Sequence, residues 1–200
     1  MSDRYRDALN DTAFYSFARR IIFCAGKLLF RPSFEGTEYV PKTGGVVLAG
    51  NHTSNFDWIL HFIALKRHVH FLGKIELYKG KMSWFMSKMG VIPVDRSIHD
   101  RQAMRTAVEG LVQGKCIAVF PEGTINRTDD TIMPFKFGAV RMASLTGTPV
   151  IPFTIKGKFR VFRKGPKLTF YPPIYPSGDD LTDFNEELMD IVKVNLESEF

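Results

Sequence analysis

A repeated alternation runs through this chain, in which short apolar runs bounded by turn residues are separated by stretches with helical spacing. Gly45 to Ala49, Val69 to Leu72, Val91 to Val94, Cys116 to Phe120 and Val150 to Ile155 are almost continuously apolar, the pattern of strands covered on both faces. Between them, Trp58 to Leu65, Trp84 to Met89, His99 to Gln113 and Phe137 to Leu145 read as helices. In His99 to Gln113, for example, Met104, Ala107, Val108 and Leu111 share one face and Gly114 supplies the stop. Strands alternating with helices predict an α/β domain, here a single mixed sheet flanked by helices, with sites collecting at strand C-termini. Phe159 to Tyr171 reads as β-rich up to the Pro172-Pro173 break, and Leu181, Phe184, Leu188, Ile191, Val192 and Leu196 predict a final amphipathic helix. No repeat, low-complexity tract or linker divides residues 31–200.

Ahead of the first strand, residues 12–30 carry Phe14, Phe17, Ala18, Ile21, Ile22, Ala25, Leu28 and Leu29 at helical spacing, edged by Arg19, Arg20 and Lys27. Such a helix either packs on its own domain or lies in a membrane interface. No segment has the ~18 uninterrupted apolar residues of a bilayer span, so a membrane contact would use one face only. No secretory leader pattern is visible at the N-terminus. The net charge of +6 favours an anionic partner: phosphate head groups, an anionic bilayer or nucleic acid. Nucleic acid is not expected, because the chain lacks an RNA-binding aromatic signature, zinc-finger spacing and a long Lys/Arg run. Many of the 18 Phe must be buried or face lipid. Cys24 and Cys116 show no CxxC spacing, and Cys116 sits in an apolar strand as a small hydrophobe, which fits a reducing compartment.

Two strand ends carry chemistry. Asn51-His52-Thr53-Ser54-Asn55-Phe56-Asp57 follows the first apolar run, where a strand-to-helix turn would let Asp57 fold back to the His52 ring. A carboxylate that fixes the imidazole tautomer makes a general base of the other ring nitrogen. Val119-Phe120-Pro121-Glu122-Gly123-Thr124 ends a later run with a Pro/Gly turn. Together these blocks resemble the glycerolipid acyltransferase family, whose first motif reads N-H-x-S-x-x-D (the HX4D motif) and whose third reads F-P-E-G-T. Gly90 to Arg96 looks like its second motif, Pro134 to Ala139 is similar to its P-F-K-x-G-A segment, and Val150-Ile151-Pro152 looks like its short fourth motif.

The resemblance implies a membrane-associated enzyme of the lysophosphatidic acid acyltransferase type. It would esterify the free hydroxyl of 1-acyl-sn-glycerol-3-phosphate to give phosphatidic acid. The co-substrate would be an acyl-CoA or acyl carrier protein thioester, with no cofactor and no metal, at the cytoplasmic face of the membrane as a peripheral or monotopic protein. Residues 1–30 would form a membrane-associating helix beside an acyltransferase domain of residues 31–200. His52 would be the base and Asp57 its orienting partner. In the family the arginine at the position of Arg96 binds the acceptor phosphate; as a bare residue Arg96 could instead pair with Asp95 or Glu109. Gly123 and Thr124 could offer backbone N–H groups, and Glu122 would orient Arg96 or accept from an acceptor hydroxyl. Lys74 is similar to a lysine the family places near the site, where it could stabilise an oxyanion or bind phosphate, and Lys136 could meet the donor's phosphates. Many members have a basic residue after the F-P-E-G-T threonine. Here Ile125 follows, so either Arg127 supplies the charge or the head group differs.

Ser54 is the rival nucleophile, but no G-x-S-x-G elbow surrounds it, and it reads as a local hydrogen-bonding residue of the turn. His61, His68, His70 and His99 have no carboxylate or cysteine at ligand spacing and read as surface or helix-end residues. The alternatives are acylation of another lysolipid, such as lysophosphatidylglycerol or a lyso-ornithine lipid, or a non-catalytic lipid-binding module. A Ser54 hydrolase ranks behind both.

Overall fold

The apolar runs become strands that lie side by side. In the computed structural model, which describes residues 5, 7–10, 13–80, 82–98, 100–176 and 180–198, the strands are β1 (Ser33–Glu35), β2 (Val46–Gly50), β3 (Val69–Lys74), β4 (Val91–Val94), β5 (Cys116–Val119), β6 (Val150–Lys156) and β7 (Lys167–Phe170). Among the described residues they pair in the order β1-β7-β6-β2-β5-β3-β4. Every neighbouring pair is parallel except β6 with β7, so the sheet is mixed. The helices are α1 (Ala13–Phe30), α2 (Asp57–Ala64), α3 (Met82–Lys88), α4 (Arg101–Val112), α5 (Gly138–Thr146) and α6 (Leu181–Glu197).

Strand periodicity sorts β2 between two cores. Val47 and Ala49 face Ala107 and Leu111 of α4, Val140 and Met142 of α5, and Leu188 and Val192 of α6. Val46 and Leu48 face the opposite layer, with Tyr15 and Ala18 of α1, Leu60 and Phe62 of α2, and Phe153 and Phe170 from the sheet. Cys116 lies in this second core, where burial pushes its thiol up to about 12 and removes it from thiolate chemistry.

Four details differ from the sequence reading. The helix expected from His99 begins at Arg101, because the Asp100 carboxylate caps it by accepting the Ala103 N–H at 2.9 Å; His99 lies outside the described residues. The β-rich stretch from Phe159 shrinks to β7, because residues 157–166 form a loop that ends in Pro166, which has no N–H for a ladder. β1 was not expected; three residues are too few to display a period. The histidines differ as well: His61 stands in the last turn of α2, a helix end, but both it and His70 are fully buried rather than at the surface.

Helix α1 packs on the domain through Tyr15, Ala18 and Gly26, and Arg19 Nε donates to the Leu65 carbonyl at 3.0 Å. A Cβ on Gly26 would sit 2.5 Å from Ile63 Cδ1, so its absence is what lets α1 close against α2. Phe17, Ile21 and Leu28 lie on the other side of the helix and are 63%, 54% and 66% exposed. No helix among the described residues is long and apolar enough to cross a membrane.

Candidate active site

The β2 backbone leaves the sheet at Gly50, and the next side chain fastens the turn. Buried Asn51 donates through Nδ2 to the Ile155 carbonyl at 2.9 Å and accepts the Ile155 N–H on Oδ1 at 2.7 Å, joining the ends of β2 and β6. His52 follows. Its backbone N–H donates to Glu122 Oε1 at 2.7 Å, its carbonyl accepts the Asn126 N–H at 3.0 Å, and its ring stacks on Phe120 with centroids 4.1 Å apart and planes 12° from parallel. Main chain and ring are therefore fixed from three directions.

Asp57 opens α2 and is completely buried, an acidic residue at the positive end of a helix. Its Oδ2 accepts from Thr53 N–H at 2.6 Å, Ser54 N–H at 2.9 Å and His52 Nδ1 at 2.9 Å, while Oδ1 accepts from the Thr53 hydroxyl at 3.1 Å. With a carboxylate as acceptor the proton belongs on Nδ1, which leaves the Nε2 lone pair available. Ser54 serves the turn, as its residue type suggests: its Oγ accepts the Phe56 N–H at 3.2 Å.

Glu122 does not orient Arg96. Its carboxylate is buried and braces two segments, accepting the His52 N–H on Oε1 and the Met133 N–H on Oε2 at 2.9 Å. Burial pushes this carboxyl above its ordinary range, and the Met133 and His52 amides draw it back. Gly123 likewise departs from expectation. Its N–H closes the turn by donating to the Phe120 carbonyl at 2.9 Å, while its own carbonyl accepts from Arg96 Nη1. At φ 74° the position favours glycine, and a Cβ there would lie 2.9 Å from Lys136 Nζ. Arg96 and Lys136 thus converge on the Gly123 peptide. Asp95, one alternative partner for Arg96, instead accepts from Ser97 N–H and Oγ at 2.9 and 2.6 Å.

Arg96, Gly123 and Lys136 line a cleft of about 960 Å³ beside the ends of β4 and β5, together with Arg101, Arg105, Met104 and Leu145. Phe120 lines this cleft and stacks on His52, so the base and the cationic wall share one side chain. Lys74, Thr124 and Arg127 are exposed and stand outside its lining. Residue type and spacing suggest no role for Asn51 or Phe120, although both lie inside the N-H-x-S-x-x-D and F-P-E-G-T blocks. Their partners, Ile155 and the His52 ring, are brought to them only by the fold.

The family described as Acyltransferase matches residues 31–156. The 1-acyl-sn-glycerol-3-phosphate acyltransferase of Bacillus subtilis (strain 168) is 30% identical over 190 residues, covering 86% of this chain and 94% of that one. The protein of the same name from Borreliella burgdorferi is 32% identical over 163 residues, 80% of this chain and 62% of its own length. In fold, the chain is similar to the crystal structure of the 1-acyl-sn-glycerophosphate acyltransferase PlsC from Thermotoga maritima, with a TM-score of 0.72 at 24% identity over 96% of this chain and 85% of that one.

Proposed function

The chain belongs to the acyltransferase family, and from that membership we propose that it transfers a fatty acyl group from a thioester to the free hydroxyl of lysophosphatidic acid, giving phosphatidic acid, with His52 as general base. A thioester is already activated, so the enzyme has only to deprotonate the alcohol and stabilise the intermediate; no enzyme nucleophile is needed. His52 Nε2 takes the proton of the acceptor hydroxyl as its oxygen attacks the thioester carbonyl. The tetrahedral intermediate then collapses, the C–S bond breaks, and Nε2 returns the proton to the departing thiolate. Asp57 stabilises the transient imidazolium through the Nδ1 contact at 2.9 Å.

The phosphate monoester of the acceptor lies against Arg96, which supplies a planar pair of donors, with Lys136 adding charge beside Gly123. Glu122 contributes indirectly by holding the His52 backbone. Acyl-CoA or acyl carrier protein supplies the thioester. The acceptor resides in a bilayer, and the exposed apolar stripe of α1 supports a peripheral position on its surface, on the cytoplasmic side where such thioesters are made. The observation that carries the reading is the Asp57 cradle: four donors converge on one buried carboxylate, and one of them is His52 Nδ1. A purely lipid-binding module has no use for that arrangement.

A second acceptor is favoured by one departure, Ile125 where many members are basic, with Arg127 outside the cleft. The deciding experiment offers purified protein lysophosphatidic acid, lysophosphatidylglycerol and a lyso-ornithine lipid, each with acyl-CoA and with acyl carrier protein thioester, and identifies products by mass spectrometry. Phosphatidic acid should dominate. Preferential acylation of another lysolipid would reassign the head group, and no product from any pair would remove the enzymatic reading.

A further inference from the structure

The loop between β6 and β7 presents apolar side chains to solvent in a way that its own packing does not explain. Val161 and Phe162 are 55% and 61% exposed, and Phe162 holds φ 58°, a backbone region where a glycine or asparagine would be less strained. Around this tip Lys158, Arg160, Arg163 and Lys164 are all exposed. Lys158, Arg160 and Lys164 also line a shallow groove of about 770 Å³ at the base of the loop.

The loop is not adrift. The Phe162 N–H donates to the Leu29 carbonyl at 2.6 Å, which seats the tip at the C-terminal end of α1, next to exposed Leu28. Phe159 packs edge-on against Phe30 at 5.3 Å and against Phe56 at 5.9 Å. Phe56 caps α2 and immediately precedes Asp57, so the loop is braced against the turn that carries the His52–Asp57 pair.

We propose that residues 158–164 form a membrane-docking element that recognises an anionic bilayer, with Val161 and Phe162 entering the headgroup boundary and the surrounding cations meeting lipid phosphates. The proposal rests on the reading of the acceptor as a membrane lipid. Two features identify the occupant. An apolar tip ringed by cations is complementary to an interface that is apolar below and anionic above, and Phe162 bonds the backbone of Leu29, the neighbour in sequence of Leu28, which with Phe17 and Ile21 makes the exposed stripe of α1. Through Phe159 and Phe56, the docked loop sets the mouth of the site at the bilayer surface, where a lysolipid can reach His52 without leaving the interface.

The test is vesicle sedimentation of the full chain with pure phosphatidylcholine and with an equimolar phosphatidylglycerol mixture. Val161→Asp combined with Phe162→Asp should lower binding to both vesicle types by ~10-fold or more. Replacing Lys158, Arg160, Arg163 and Lys164 together by Gln should lower binding to the anionic vesicles by a similar factor and leave phosphatidylcholine binding unchanged. Because all six side chains are exposed, thermal melting temperatures should stay near wild type. Unchanged sedimentation of both folded variants would overturn the proposal. So would intact vesicle binding together with lost activity towards an acyl carrier protein donor only, which would mark the cations as a seat for an acidic protein. Vesicle binding is scored without turnover, so a protein that docks through this loop but acylates no lysolipid would overturn the proposed reaction and leave the docking element standing.

Discussion

Asp57 and His52 are each held by several partners, and that determines how their variants should fail. In Asp57→Asn an amide NH₂ would confront at least one of the donors now served by the carboxylate, and the imidazole would lose its tautomer control. Steady-state assays should show kcat reduced by ~10²-fold or more in both Asp57→Asn and His52→Ala. His52→Ala should also lower stability by about 1 kcal/mol, because its ring stacks on Phe120 and is only 16% exposed. A folded His52→Ala protein with near wild-type turnover would remove the mechanism. Arg96→Ala should raise KM for the phosphorylated acceptor ~10-fold or more with little change for the donor; equal effects on both would assign Arg96 to shaping the cleft. His61 gives a pH signature. Burial among Phe71, Phe153 and Phe170 pushes it down to about 4, so between pH 6.5 and 4 the folded state binds fewer protons than the unfolded one. Stability should therefore fall as pH drops through that window, by on the order of 2 kcal/mol from pH 7 to 5. Urea denaturation of His61→Leu at both values should show a flatter dependence than wild type, and an identical slope would exclude His61 as the source.

The elements were legible in type more than in orientation. For α1, helical spacing collected Phe17, Ala18, Ile21 and Ile22 onto a single broad apolar face. The structure splits that face, with Tyr15, Ala18 and Gly26 inward and Phe17, Ile21 and Leu28 outward. The split depends on α2 being the neighbour and on Gly26 admitting Ile63, neither of which a periodicity contains. Replacing Phe17 and Ile21 together by Asp should cut vesicle sedimentation and activity on bilayer-embedded lysolipid, while turnover of a short-chain, water-soluble acceptor survives. Unchanged sedimentation would leave the stripe without a membrane role. At Glu122 the limit was similar. The Pro/Gly turn placed it at a strand end as an orienter of Arg96 or an acceptor for a substrate hydroxyl, but its bracing role depends on Met133, which the chain brings back through an irregular loop.

At the scale of the molecule, alternation of strand and helix sufficed for an α/β sheet, and the turn residues sufficed to put His52 and Glu122 at strand ends. Strand order did not follow, because parallel neighbours can be separated by any number of crossovers. The clasp between Asn51 and Ile155 is the case in point, two hydrogen bonds across 104 positions of sequence. Asn51→Ala leaves both Ile155 groups buried and unpaired, and should cost about 2–4 kcal/mol in chemical denaturation. A loss below 0.5 kcal/mol would mean that the ends of β2 and β6 are held together by other means. The same clasp sets a schedule for synthesis. β2 leaves the ribosome long before β5 and β6, the strands it must lie between, so the turn at His52 stays unframed until residue 155 is outside the exit tunnel. A nascent chain is thus catalytically silent until β6 has been made and has found its place beside β2.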